Sequence, residues 1–173
     1  MKKQLLLVDG YNMIGAWPNL SSLKNQERLE EAREELLNEL SSYAKFEGIK
    51  VIVVFDAQNV PGITNSYKKY QLEVIFTSED ETADSYIERE AGLRNNVVTQ
   101  VSVATSDLAE QWVIFSQGAL RVSARELYNR VHTTKKNISN VRKAKYEQSF
   151  QRNSPWSSNQ LEKLEAKRKE LES

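Results

Sequence analysis

Four aspartates, each following a short apolar run, are the residues of this chain best placed to do chemistry. Leu5 to Val8 leads into Asp9-Gly10-Tyr11-Asn12, Lys50 to Phe55 into Asp56-Ala57, Leu72 to Phe76 into a stretch ending in Asp84, and Gln100 to Ala104 into Thr105-Ser106-Asp107. If these runs are strands of one parallel sheet, the acids converge on the rim where α/β folds place their sites. Converging carboxylates repel one another unless a cation lies between them. Asp9, Asp56, Asp84 and Asp107, with the amide of Asn12 as a further polar group, form an all-oxygen set that selects a hard ion, Mg²⁺ or Mn²⁺. Each acid also has an ordinary reading. Asp107 with Glu110 spells a helix cap. Glu79, Asp80, Glu81 and Asp84 lie near a helix start, where the macrodipole favours negative charge. Asp56 can simply open the loop containing Pro61-Gly62. Asp9 is harder to set aside, because a carboxylate straight after a buried strand is costly unless something satisfies it. The convergence carries more weight than any one acid.

Other chemistries are removed by composition. The 173 residues include no cysteine and one histidine, which excludes disulfides, iron–sulfur clusters, thiolate zinc sites and cysteine nucleophiles. Two-histidine ribonuclease mechanisms, His-rich zinc sites and the HExxH helix are excluded as well. A Ser-His-Asp triad would have to use His132, which sits beside two threonines in a polar helical stretch and reads as a solvated surface residue. Gly10-Tyr-Asn-Met-Ile-Gly15 begins like a phosphate-binding loop, but Ala16-Trp17 stands where Lys-Ser/Thr is needed. GxGxxG is absent, so no nucleotide cofactor is expected. Tyr11 occupies the position where a phosphoaspartyl phosphatase would carry a second aspartate. Metal-assisted hydrolysis is what remains.

The elements that must position the acids follow from hydrophobic periodicity. The four β-rich runs are separated by helical patterns, and Gly118 to Val122 is long enough for a short fifth strand. Leu29, Ala32, Leu36, Leu37, Leu40, Tyr43 and Ala44 recur at steps of three and four, with glutamates outside and Gly48 as the stop. Further helices are expected from Thr82 to Arg94, from Asp107, and from Ser123 with Glu126 three residues on. Strand and helix in alternation imply an α/β fold with a parallel, doubly wound sheet. From about residue 133 the pattern loosens. Asn153 to Asn159 reads as a loop, and Gln160 to Leu171 as a short charged helix. The expected organisation is a domain over residues 1–132 and a basic, largely helical extension over 133–173.

The net charge of zero divides unevenly between these parts. Residues 1–132 hold 14 Lys+Arg against 19 Asp+Glu, whereas 133–173 hold 10 against 5. An acidic body with a basic appendage suits a protein that holds phosphates to one side rather than coating nucleic acid all over. The longest apolar runs, Leu5 to Val8 and Val51 to Phe55, are far short of the roughly 18 residues of a membrane helix. The basic N-terminal residues imitate a signal peptide, but Asp9 arrives too soon. A soluble, cytoplasmic protein without a membrane partner is expected.

The same blocks carry a resemblance. Leu-Leu-Leu-Val-Asp9-Gly-Tyr-Asn12-Met-Ile-Gly-Ala-Trp17, Val-Val-Phe-Asp56-Ala, Val-Ile-Phe-Thr-Ser-Glu-Asp-Glu-Thr-Ala-Asp84 and Val-Ala-Thr-Ser-Asp107 occur in the order of the NYN domain family. The chain resembles most of all the YacP-like branch. Trp112, Gly118-Ala-Leu-Arg121 and Ser123-Ala-Arg125-Glu-Leu extend the likeness to about residue 130. It implies a three-layer PIN-like fold and divalent-metal-dependent cleavage of RNA. Carried over by motif, Asp9, Asp84 and Asp107 would be metal-binding and catalytic acids. Asn12 would be a catalytic, supporting polar ligand or substrate contact, and Asp56 either an additional ligand or a group that orients the ligands. The branch further implies an mRNA endonuclease associated with the ribosome.

RNA must also be held. Lys68 and Lys69, Arg121 and Arg125, and the cluster Arg142, Lys143 and Lys145 are the expected phosphate contacts, and Tyr11, Trp17, Tyr67 and Tyr70 could stack on unpaired bases. Single-stranded RNA suits the acidic body better than duplex. Two readings compete with the nuclease: a non-catalytic RNA-binding or ribosome-docking module, and a small-molecule phosphohydrolase on the same fold. The number of metal ions, the oligomeric state and the cleavage sequence are left open.

Overall fold

The structure, a computed structural model, describes residues 1–57, 70, 72–153 and 156–172. The described residues fall into two compact units, Met1–Lys135 and Lys136–Ser173. In the first unit the strands β1 (Lys3–Asp9), β2 (Lys50–Phe55), β3 (Glu73–Phe76), β4 (Thr99–Ala104) and β5 (Leu120–Val122) form one sheet in the order β3-β2-β1-β4-β5. Every pairing is parallel, with Leu7 opposite both Ile52 and Val103. Strand order reverses at β1. The crevice beyond the carboxyl ends of β1 and β4 is therefore the switch point at which such sheets bind ligands.

The central strands β1 and β2 are buried on both faces from Leu5 and Val51 onward, and alternate residues of the sheet feed two cores. Leu6, Val8, Val51, Val53 and Phe55 pack with Met13, Ile14, Leu20, Leu36, Leu37 and Leu40 from α1 (Gly10–Ala16), α2 (Pro18–Asn25) and α3 (Leu29–Glu47). The first residues of α6 (Ala124–Asn153) join that side through Ala124, Leu127 and Val131. Leu5, Leu7, Ile52, Val54, Val101 and Val103 pack on the other face with Ile87 and Ala91 of α4 (Ala83–Arg94) and Ile114 of α5 (Leu108–Ser116). A three-layer α/β fold results, as expected from the alternating pattern. Each fully buried Leu or Ile contributes about 1.5–3 kcal/mol of transfer free energy.

Helices α1 and α2 fill a stretch where the sequence reading expected no element. Gly15, Pro18, Asn19, Ser21 and Ser22 look like chain breakers, yet Pro18 occupies the first position of α2, where its missing N–H costs nothing. Gly48 ends α3 at φ 66°, as its sequence position predicted. Trp17 is completely buried and donates from Nε1 to Ala124 O at 2.9 Å, and Tyr70 is also in the core. Neither is a stacking face for a base.

The second unit consists of the remainder of α6 and of α7 (Ser158–Leu171), which starts with a capping box between Ser157 and Gln160. Helix α6 continues unbroken to Asn153, past the point where the apolar pattern loosens. Among the described residues, no helix is long and apolar enough to cross a membrane.

Candidate active site

Asp9 ends β1 and caps α1. Its Oδ1 accepts from Asn12 N at 3.2 Å and its Oδ2 from Asn12 Nδ2 at 2.9 Å. This tight strand-to-helix passage depends on Gly10. A Cβ there would lie 2.2 Å from Cε1 of Phe55, whose ring stacks on Phe76 and meets Tyr11 edge-on. The other side of Asn12 faces β4: Ser106 N donates to Asn12 Oδ1 at 3.3 Å, and Ser106 Oγ donates to the same oxygen. One amide thus holds Asp9 and ties it to the loop after β4.

A cavity of about 480 Å³ opens at this point, lined by Asp9, Asn12, Asp56, Asp84 and Ser106, with Tyr11 and Thr82 on its walls. Asp84 arrives on the first turn of α4, behind the cap in which Thr82 Oγ1 accepts from Ser85 N at 3.2 Å. The turns after β2 and β3 are joined by Ala57 N donating to Thr77 Oγ1 at 3.2 Å, beside Asp56. Behind the cavity lining, Arg33, buried on α3, donates to the hydroxyl of the lining residue Tyr11 at 3.3 Å.

The electrostatics of Asp9 set it apart. With 5% of its surface exposed, its carboxyl is pushed up to about 6. Burial is the main cause; the two Asn12 bonds oppose it, and the neighbouring Asp84 carboxyl raises it further by charge and by a side-chain hydrogen bond. A buried carboxyl facing a second one is short of positive charge.

Three of the four expected acids, Asp9, Asp56 and Asp84, therefore line one cavity together with Asn12. Asp107 is not in that lining; its Oδ1 accepts from Ala109 N at 2.9 Å at the start of α5. The Glu110 side chain of the expected capping box lies outside the described residues, as do Lys68, Lys69 and Tyr67. Among the described residues, no three His, Cys, Asp or Glu side chains form a group that could hold a metal ion by themselves. His132 stands on α6 against the ring of Tyr128, away from the cavity lining. Arg121 and Arg125 line a second cavity of about 620 Å³ that shares Ala16 and Ser106 with the first. Arg142, Lys143 and Lys145 lie exposed on α6 in the second unit.

Sequence reasoning gave no role at the site to Ser106, Thr82 or Gln111, and named Thr82 only as a helix start. Ser106 was legible only as part of the Thr-Ser-Asp block. Its bond to Asn12 spans 94 residues and has no local signature.

The chain is similar to known proteins in sequence and in fold. The model of the YacP-like NYN domain matches residues 6–169, running well beyond residue 130. YacP of Bacillus subtilis is 54% identical over 134 residues, which is 78% of each chain. The crystal structure of Rae1 (YacP) from Bacillus subtilis matches with a TM-score of 0.74 and 52% identity over 84% of this chain and 83% of that one. A single-residue mutant of the same protein matches with a TM-score of 0.70. With the aspartate-lined switch point of its sheet, the chain belongs to the YacP-like NYN domain family, within the PIN-like nucleases.

Proposed function

We propose that the protein is a divalent-metal-dependent endoribonuclease that cleaves single-stranded mRNA in the cytoplasm, in association with the translating ribosome. The observation that carries this reading is the buried Asp9 carboxyl facing Asp84 on the wall of a cavity also lined by Asp56. Mg²⁺ is commonly held by one or two carboxylates together with waters and substrate phosphates. The donors present fit that habit: Asp9 and Asp84 would hold the ion, with Asp56 as a further oxygen ligand. A bound ion supplies a water of lowered pKa and charge to offset that of the scissile phosphate. Asn12 fixes the orientation of Asp9, and Ser106 fixes Asn12. By the resemblance of its motif, Asp107, at the start of α5 and outside that lining, would hold a second ion that offsets charge on the leaving oxygen.

mRNA as substrate and the ribosome as partner follow from the resemblance of the motifs to the YacP-like branch. The basic balance of residues 133–173, with Arg142, Lys143 and Lys145 exposed on α6, supports contact with phosphates, as do Arg121 and Arg125 beside the acidic cavity. The same role falls to Lys68 and Lys69, which lie outside the described residues.

The test offers a labelled mRNA, naked and on translating ribosomes, to wild type and Asp84→Asn with Mg²⁺ or Mn²⁺. Internal cuts that require the ion and are lost in the variant are expected. Equal cutting by the variant would overturn the assignment. The position of Asp107 outside the cavity lining favours one alternative, a binding module that keeps the acids for structure. That alternative predicts RNA or ribosome binding without cuts under any divalent ion.

A further inference from the structure

Helix α5 departs from the usual distribution of apolar residues. Only Ile114 of its large apolar side chains is fully buried, whereas Leu108, Trp112 and Phe115 are 71%, 74% and 63% exposed. These three recur at steps of four and three, so they share one outward helical face. A cavity of about 310 Å³ lies along that face, lined by Leu108, Gln111, Trp112, Phe115 and Arg121. It shares Leu108, Gln111 and Arg121 with the second cavity, which in turn shares Ala16 and Ser106 with the acidic one. Three adjoining hollows thus lie in sequence from Asp9 and Asp84 to Trp112.

The chemistry along this path changes in order. The acidic cavity comes first, then the guanidinium groups of Arg121 and Arg125, then the aromatic face. Arg121 is held in place, donating to Gln111 Oε1 at 2.9 Å, while the buried Gln111 donates from Nε2 to Thr105 O at 2.9 Å. A guanidinium carries about five N–H donors, so the bond to Gln111 leaves capacity for a phosphate. The surrounding unit is acidic overall, and a polyanion entering it has these arginines as cations beside the acidic hollow.

We propose that the second and third cavities are a subsite for single-stranded RNA, in which Arg121 and Arg125 hold the phosphates flanking the cut and Trp112, seconded by Phe115, stacks on an unpaired base. The inference rests on the nuclease reading of the acidic cavity and adds to it the path taken by the strand. An exposed indole stacks on any base and requires that base to be out of a duplex. The face therefore selects for single-stranded character rather than for sequence.

The test is fluorescence anisotropy of labelled RNA oligonucleotides with the full chain carrying Asp84→Asn, which keeps the probe from being cut. Adding Trp112→Ala is expected to weaken binding about ten- to a hundredfold for oligonucleotides long enough to leave the acidic cavity. A dinucleotide should show no change. Trp112→Phe should restore much of the loss, and Arg121→Gln should lower the salt dependence by about one phosphate contact. Circular dichroism is expected to match the parent, since Trp112 lies on the surface. Equal binding of long oligonucleotides by Trp112→Ala and its parent would overturn the subsite. So would loss of ribosome binding by Trp112→Ala with oligonucleotide affinity intact, which would make the face a protein dock. The nuclease reading is judged separately, by cutting with and without Asp84→Asn in chains that retain Trp112.

Discussion

Ser106 and Asn12 are bonded across the switch point of the sheet: the Ser106 N–H donates to Asn12 Oδ1 at 3.3 Å while the Asn12 amide donates to Asp9 at 2.9 Å. The loop after β4 is thereby coupled to the acid that ends β1. Asn12→Ala removes both links and leaves the buried Asp9 with fewer donors. RNA cutting should fall at least about tenfold, because a reacting group is no longer oriented, and unfolding in urea should show a loss of about 1 kcal/mol. Unchanged cutting would show that Asp9 needs no positioning.

The raised Asp9 carboxyl makes a prediction about pH. Its value is about 6 in the folded protein against an ordinary 3.8, so between these pH values the folded state binds a proton that the unfolded state has released. Stability must therefore fall as pH rises from about 4 to about 6. The loss attributable to Asp9 is on the order of 2–3 kcal/mol. In the presence of EDTA, Asp9→Asn should be more stable than wild type at pH 8 and similar to it at pH 4. Urea titrations at the two pH values measure this, and a variant less stable at pH 8 would contradict it.

Divalent ions should act in the opposite direction. Cations binding between Asp9 and Asp84 stabilise only the folded state, so millimolar Mn²⁺ at pH 8 should raise the Tm of wild type. Asp84→Asn should show little of that shift. Identical shifts in both chains would place the bound ion elsewhere.

Gly10 offers a test of the scaffold rather than the chemistry. Gly10→Ala puts a methyl group 2.2 Å from the fully buried Phe55 ring, so the ring or the backbone must shift. A loss of about 1–3 kcal/mol is expected. Phe55→Leu should cost less in the Gly10→Ala background than alone, and a double-mutant cycle reads the coupling.

Much of the scaffold was legible in the sequence because it is encoded locally. Alternating apolar runs and amphipathic stretches specify strands and helices, Gly48 marks the stop of α3, and Thr82 begins α4. Helices α1 and α2 were not legible, because they are short and Gly15, Pro18 and the serines carry little helix propensity. Their apolar residues Met13, Ile14, Trp17 and Leu20 become core only once α3 and the sheet are present to cover them.

The sequence by itself determined which chemistry is available: no thiols, a single imidazole, and aspartates at the ends of apolar runs. Only the tertiary structure decided which acids meet. Side chains on neighbouring strand ends can point into the crevice or into a helix cap, and that choice depends on loop geometry. Asp9, Asp56 and Asp84 line one hollow, while Asp107 accepts from the first turn of α5. Exposure of Trp112 was equally beyond local pattern. Helix α5 is apolar around most of its circumference, and a helix lying on a sheet can bury only one side, so packing of Ile114 inward left Trp112 outward beside Arg121.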